Sequence, residues 1–143
     1  MSAIATPSDR QRYVLDSFAI ISQLQAEAGA DKVDQVLQQG RDEHAEVFLS
    51  VVNFGEALYI IERDHGLNAA NQASAAINEW PVRLVDVDRV LAVSAAHFKA
   101  RFAISFADGF ALALAQSLGA CVLTGDPEFR QTERIVPVEW LPR

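Results

Sequence analysis

A three-layer α/β/α domain with a mainly parallel central sheet is the fold class this sequence predicts, and three observations predict it. Short β-type apolar runs alternate with amphipathic helical stretches along most of the chain. Cap residues or glycines stand at several of the junctions between them. One helical stretch, Phe106 to Leu118, is apolar on nearly every side, as a helix buried in a layered core would be. Parallel strands need crossover connections, and helices on both faces of a sheet supply them.

In chain order, Arg12 to Leu15 reads as a strand ended by Asp16, and Ser17 to Leu24 as the helix after it. Asp31 to Gln39 is a second helical stretch, with Val33, Val36 and Leu37 on one face and Gly40 as its stop. Glu46 to Val52 reads as a strand. Asn53 then opens a helix carrying Ala57, Leu58 and Ile61, which Gly66 closes, and Asn68 to Glu79 forms another. Pro81 breaks the pattern before a strand from Val82 to Val87. Asp88 caps the next helix, whose apolar positions are Val90, Leu91, Ala95 and Phe98. Ser105 precedes the apolar helix and Gly119 ends it, ahead of the strand Cys121 to Thr124. The last run, Ile135 to Trp140, contains Pro137 and therefore suits an edge strand.

A chain of 143 residues is sized for one domain, expected over residues 12–143 behind a short flexible tail at residues 1–11. Half of the residues are hydrophobic and 22% are charged, enough to build a core. No apolar run reaches the roughly 18 residues of a membrane span, so membrane insertion is excluded. The segment Met1 to Gln11 does not read as a secretory signal. A single cysteine, Cys121, forms no internal disulfide or cysteine-based zinc site, which fits a reducing cytoplasm. Twelve basic against 19 acidic residues give a net charge of −7. That balance argues against a broad electrostatic grip on nucleic acid, so any phosphate contact needs local arginines or bound cations.

Ligand sites in parallel sheets gather beyond the carboxyl ends of the strands. Asp16 ends the first strand, Asp126 follows the strand Cys121 to Thr124, and Glu56 and Asp108 fall in the first turns of helices. Each acid also has a structural explanation. Asn53 with Glu56, and Ser105 with Asp108, have the spacing of a helix cap and its third residue, and Asp126 before Pro127 is cap-like. Capping does not, however, require four acids at one end of one sheet. Such a cluster raises carboxylate pKa values and costs stability unless a cation neutralises it. Oxygen-only ligands select hard ions such as Mg²⁺ or Mn²⁺, whose chemistry with phosphates is hydrolysis of phosphodiesters.

At these residues the chain resembles the PIN-domain nucleases, and in particular the VapC-like toxins of toxin-antitoxin pairs. YVLDSFAII resembles the family's first strand with its acid, at Asp16 and Ser17. VNFGEALYII resembles the second acidic motif, with Glu56 and Asn53, and ADGFALALAQSLGACVLTGDPEF the third and last, with Asp108, Thr124, Asp126 and Glu128. Phe18 departs from the pattern, which often has a small polar residue there. The resemblance covers nearly the whole chain, and the order and spacing of the motifs carry it. It implies a PIN-like nuclease domain and Mg²⁺- or Mn²⁺-dependent endoribonuclease activity, with Asp16, Glu56, Asp108 and Asp126 as catalytic metal ligands. It further implies that Ser17, Asn53, Thr124 and Glu128 support them, that the protein forms a homodimer, and that a cognate antitoxin neutralises its cleavage of cellular RNA.

Other residues carry less. His44, His65 and His97 are not spaced as a metal pair, while Arg12, Arg101 and Arg130 are the arginines that could approach a phosphate near the site. A phosphorelay receiver would need a lysine after a late strand, but Lys32 and Lys99 both fall in helical stretches. A haloacid-type phosphatase would need an aspartate where Phe18 stands. The alternative from another class is a non-catalytic PIN-like module that binds protein or RNA, against which the retention of all four acids argues.

Overall fold

The computed structural model describes Thr6 and residues 9–143. Most of the tail expected at residues 1–11 lies outside the described residues, and Gln11 already belongs to the first strand. Five strands form one all-parallel sheet: β1 (Gln11–Leu15), β2 (Ala45–Ser50), β3 (Arg83–Val85), β4 (Cys121–Thr124) and β5 (Val138–Trp140), in the order β3-β2-β1-β4-β5. Among the described residues, six helices connect them: α1 (Ser17–Leu24), α2 (Ala30–Arg41), α3 (Val51–His65), α4 (Leu67–Asn78), α5 (Arg89–Arg101) and α6 (Phe106–Leu118). A 3₁₀ segment, Pro127–Thr132, follows β4.

The two-residue period of the strands sorts the core into two halves. Val14, Phe48 and Val122 point to the face covered by α5, α6 and Phe129 of the 3₁₀ segment. Their neighbours Leu15, Val47, Leu49 and Leu123 point to the opposite face, under α1, α2, Ala57 of α3 and Ile77 of α4. The central strands are therefore buried on both sides, which is why they read as continuous apolar runs. From β1 the chain moves outward through β2 to β3, then returns to the other side of β1 to lay down β4 and β5. The direction of winding changes between β1 and β4, and a crevice opens at their carboxyl ends.

Several boundaries differ from the sequence expectation, each for a local reason. β2 stops at Ser50, whose hydroxyl accepts from the Val52 amide at 3.2 Å, so Ser50 and not Asn53 is the cap of α3. Asn53 is the third residue of that helix, and Glu56 falls beyond the first turn in which it was expected. Helix α2 runs through Gly40 to Arg41, because the left-handed turn that ends it is supplied by Glu43, at φ 60°. The strand expected over Val82 to Val87 pairs only along Arg83–Val85, and β5 begins after Pro137 at the sheet edge. By contrast, α1, α6 and β4 have the boundaries read from the sequence, and Gly119 closes α6 in the left-handed conformation at φ 62°.

The helix pair α5 and α6 approaches closely where α6 carries Gly109. A Cβ at Gly109 would lie 2.8 Å from the Ala95 carbonyl oxygen, inside backbone that cannot swing away. Gly109→Ala should therefore destabilise the fold by about 1–3 kcal/mol. Gly55, exposed in α3 with nothing within 4 Å of its added Cβ, provides the opposite case. Gly55→Ala should stabilise by about 0.4–1 kcal/mol, as glycine-to-alanine changes do at unstrained helical positions. Urea denaturation midpoints of the two variants check both signs, and a neutral Gly109→Ala would refute the close approach.

Candidate active site

Strand β1 delivers Asp16 to the crevice. Its extended backbone makes it the cap of α1, and its Oδ1 accepts from the Ala19 amide at 2.9 Å. The second oxygen, Oδ2, accepts from the Thr124 hydroxyl at 2.5 Å, which ties the end of β1 to the end of β4. Thr124 Oγ1 in turn accepts from the Asp126 amide at 3.0 Å, and Asp126 Oδ1 accepts from the Glu128 amide at 2.9 Å. Hydrogen bonds thus run from β1 through Thr124 to the start of the 3₁₀ segment.

Helix α6 delivers Asp108 through a capping box. Its amide donates to Ser105 Oγ at 3.1 Å while its carboxylate accepts from the Ser105 amide at 3.3 Å. Capping therefore describes Asp16, Asp108 and Asp126, but not the pair Asn53 and Glu56. Asn53 instead donates Nδ2–H to the Ala107 carbonyl at 3.1 Å, fastening α3 to the residue before Asp108. Its Oδ1 is buried with no hydrogen-bond partner among the described residues.

The capping role leaves most carboxylate oxygens free to meet. Single oxygens of Asp108, Asp126 and Glu128 lie within 4.8 Å of one another. Asp16 stands outside that trio, but Thr124 connects it to Asp126, and the charges of both Asp126 and Asp16 bear on Asp108. Glu56 is held apart from the trio: its Oε1 accepts from Ser17 Oγ at 2.5 Å, beside Asp16 in the chain. The sequence ranked Glu128 below Glu56, whereas the structure brings Glu128 to the trio, because the turn at Pro127 carries it back toward Asp126.

Burial and like charge both act on these acids. Burial pushes the Asp16 carboxyl up to about 7, against the lowering effect of the Thr124 and Ala19 hydrogen bonds, with the Asp126 charge raising it further. Asp108 is pushed up to about 8, first by burial, then by the Glu128 carboxyl beside it, then by the charges of Asp126 and Asp16. This donor set is all oxygen, anionic and short of positive charge. It fits a hard divalent cation, which would offset the charge repulsion that adds to burial in raising both values.

None of the histidines joins the trio. Arg12 donates to Leu118 O and Glu46, and Arg101 lies over the Phe98 and Phe102 rings, so neither serves the crevice. Arg130, in the 3₁₀ segment two residues past Glu128, lines a cleft with Gly125 and Pro127, the neighbours of Asp126. The sequence reading missed the contact between Gly125 and Phe18. A Cβ at Gly125 would lie 2.5 Å from the Phe18 ring, so the glycine before Asp126 makes room for a bulky residue where a small one was expected.

The chain matches the family model described as PIN domain over residues 13–135. No curated protein matches it by sequence. Among solved structures it is similar to VapBC2 from Rickettsia felis bound to a DNA fragment from their promoter, at 9% identity, a TM-score of 0.73, and coverage of 92% of this chain and 100% of that one. VapC20 from Mycobacterium tuberculosis, a sarcin-ricin loop cleaving toxin, is 20% identical over 84% of this chain and 94% of that one, with a TM-score of 0.69. DNA-bound VapBC from Salmonella typhimurium is 17% identical, with a TM-score of 0.67 and coverage of 90% and 97%.

The raised carboxyls make the metal-free protein sensitive to pH in a defined direction. Unfolded aspartates titrate near about 4, whereas Asp16 and Asp108 hold their protons to about 7 and about 8 when folded. The stability they contribute is fully present below the unfolded value and is lost as pH rises through the folded ones. In chelator, the denaturation midpoint should therefore fall between pH 5 and pH 8, and Asp108→Asn should flatten that fall. A wild-type midpoint that is level or rises across this window would contradict the clustering.

Proposed function

We propose that this chain, which belongs to the PIN-domain family, is a metal-dependent endoribonuclease of the VapC-like toxin type, restrained by a cognate antitoxin. The observation that carries this reading is the meeting of the Asp108, Asp126 and Glu128 carboxylates at the crevice where β1 and β4 end, with Asp16 bonded to the same turn through Thr124. Complexes among the similar structures support the antitoxin, and the cleaving toxin among them supports RNA as substrate. The proposed protein acts in the cytoplasm as a homodimer. No helix among the described residues is long and apolar enough to cross a membrane.

Asp16, Glu56, Asp108 and Asp126 are the proposed ligands of Mg²⁺ or Mn²⁺, and Glu128 joins them on the geometry. A bound ion of this kind supplies Lewis-acid stabilisation of phosphate charge and a water acidic enough to attack near neutral pH. The remaining work falls to the protein's own groups. Thr124 donates to Asp16 Oδ2 and so fixes the direction of that carboxylate, while its acceptor role sets the Asp126 turn. Ser17 does the same for Glu56, and Asn53 holds the start of α6 that presents Asp108. Such supporting partners typically contribute about 10–100-fold in metal affinity or activity.

Purified protein supplied with Mg²⁺ or Mn²⁺ should cut cellular RNA internally, and expression without its antitoxin should arrest growth. Asp16→Asn or Asp108→Asn should lower cleavage by roughly 100-fold or more, and Thr124→Val by about 10–100-fold. Inhibitor-free protein that leaves a broad RNA panel intact in both metals would sink the nuclease reading. Failure to bind Mn²⁺ by calorimetry would favour a non-catalytic module.

Metal binding can be followed without RNA. An ion held only by the native state stabilises by about 2.7 kcal/mol at one hundred times its dissociation constant, several degrees in a domain of this size. Asp126→Asn should melt at or above the wild type in chelator, since it removes a repelling charge, yet gain much less from Mn²⁺. Glu128→Gln should likewise lose most of the gain. Equal metal-induced shifts in wild type and Asp126→Asn would take Asp126 out of the site.

A further inference from the structure

A protein of net charge −7 that acts on RNA needs a local cationic surface beside its acids. At the carboxyl ends of β4 and β5, Gly125, Pro127, Arg130, Trp140, Leu141 and Arg143 line a cleft of about 120 Å³. Gly125 and Pro127 flank Asp126, so the cleft shares a wall with the carboxylate group. The charged side chains that line it are those of Arg130 and Arg143. The larger groove along β2 and β3 differs, because Arg10 and Arg83 share it with Glu43 and Glu46.

The cleft is also pre-ordered. The Trp140 indole donates Nε1–H to Glu133 Oε2 at 3.1 Å, and the Arg130 guanidinium carbon lies 5.3 Å from the Trp140 ring centroid. Stacking on a fixed ring restrains the guanidinium fork before any ligand arrives. Among the described residues, neither Arg130 nor Arg143 forms a salt bridge, whereas Arg12, Lys32 and Arg63 each do. Arg143 also lines a second cleft, of about 250 Å³, with Phe18, Glu27, Pro142 and Ser22, whose hydroxyl is buried with no partner among the described residues. Arg143 thus stands between the two clefts, the first of which reaches the neighbours of Asp126. Arginines interleaved with aromatic rings along a groove are the chemistry that tracks a single nucleic-acid strand.

Building on the ribonuclease reading, we propose that Arg130 and Arg143 form the subsite for the RNA strand beside the scissile phosphate, holding its backbone phosphates. Trp140 and Glu133 are positioning residues that act through Arg130. Each bidentate guanidinium contact to a phosphate adds affinity and geometry together, so the cleft sets where the strand crosses the acids.

The test is fluorescence anisotropy of a short labelled RNA oligonucleotide, made uncleavable by 2′-O-methylation, bound to the full chain in Mg²⁺ over a salt series. Arg130→Ala and Arg143→Ala should each weaken binding about tenfold. Each should also lower the slope of log affinity against log salt by about 0.7, one phosphate contact's share for a single strand. Arg130→Lys should keep the slope, because the charge remains, while losing affinity with the stack. Both arginines are exposed, and an unchanged melting temperature shows that the variants fold. A double Arg130→Ala, Arg143→Ala variant with wild-type affinity, slope and KM would overturn the subsite while the wild type still cut RNA. Competition by a glutamate-rich peptide as effective as RNA of equal charge would overturn it as well. Binding to the probe by a wild type that cuts no RNA would instead uphold the subsite and defeat the nuclease reading.

Discussion

Asp16 leaves 1% of its surface exposed where β1 ends, and its carboxyl group accepts there from Thr124 and Ala19. Burying a carboxyl group is costly unless its oxygens find donors, and both do. One bond starts helix α1 and the other joins strand β1 to strand β4, so a single side chain organises the junction at which the sheet reverses its winding. Thr124, itself fully buried, then accepts from the Asp126 amide and directs the chain into the turn that brings Glu128 back. The placing of the acids depends on this connection.

The capping and metal-site readings of these acids are not rivals. Asp16, Asp108 and Asp126 each use a carboxylate oxygen to accept a backbone amide, which fixes the side chain's direction. A carboxylate has about four lone-pair sites, so a cap leaves acceptor capacity for an ion. The caps act as the rigid supports that a metal site needs, since loosely held acids would spread apart under their own repulsion.

The sequence made α1, α6 and β4 legible to the residue because sharp signals bound them: Asp16, the Ser105 and Asp108 box, and Gly119. It misled at α3 because Val51 and Val52 are β-branched and extend the apolar run of β2, which moved the expected cap from Ser50 to Asn53. The same error placed Glu56 in a first turn. Gly40 misled in the opposite way: a glycine inside a helix costs only about 1 kcal/mol, and tertiary packing can outweigh it. That Glu128 lies beside Asp108 and Asp126 was not legible, since it rests on the path of a 3₁₀ turn rather than on spacing. Nor could one sequence reveal that Phe18 and Gly125 are a matched pair across the crevice.

These contacts link residues far apart in the chain, since Asp16, Asp108 and Asp126 come from three elements that meet only in the folded sheet. Their repulsion is therefore a cost specific to the native state, which the apolar halves of the core must offset. A natural sequence could remove that cost with asparagines that cap equally well. This one keeps carboxylates at all three caps and sets Glu128 beside two of them, so capping alone does not account for the choice. The excess charge makes physical sense where a cation completes the group, and the proposed role of Arg130 and Arg143, which form no salt bridge among the described residues, makes sense where a second anion follows the cation in. A phosphate backbone supplies that second anion at every residue of its length.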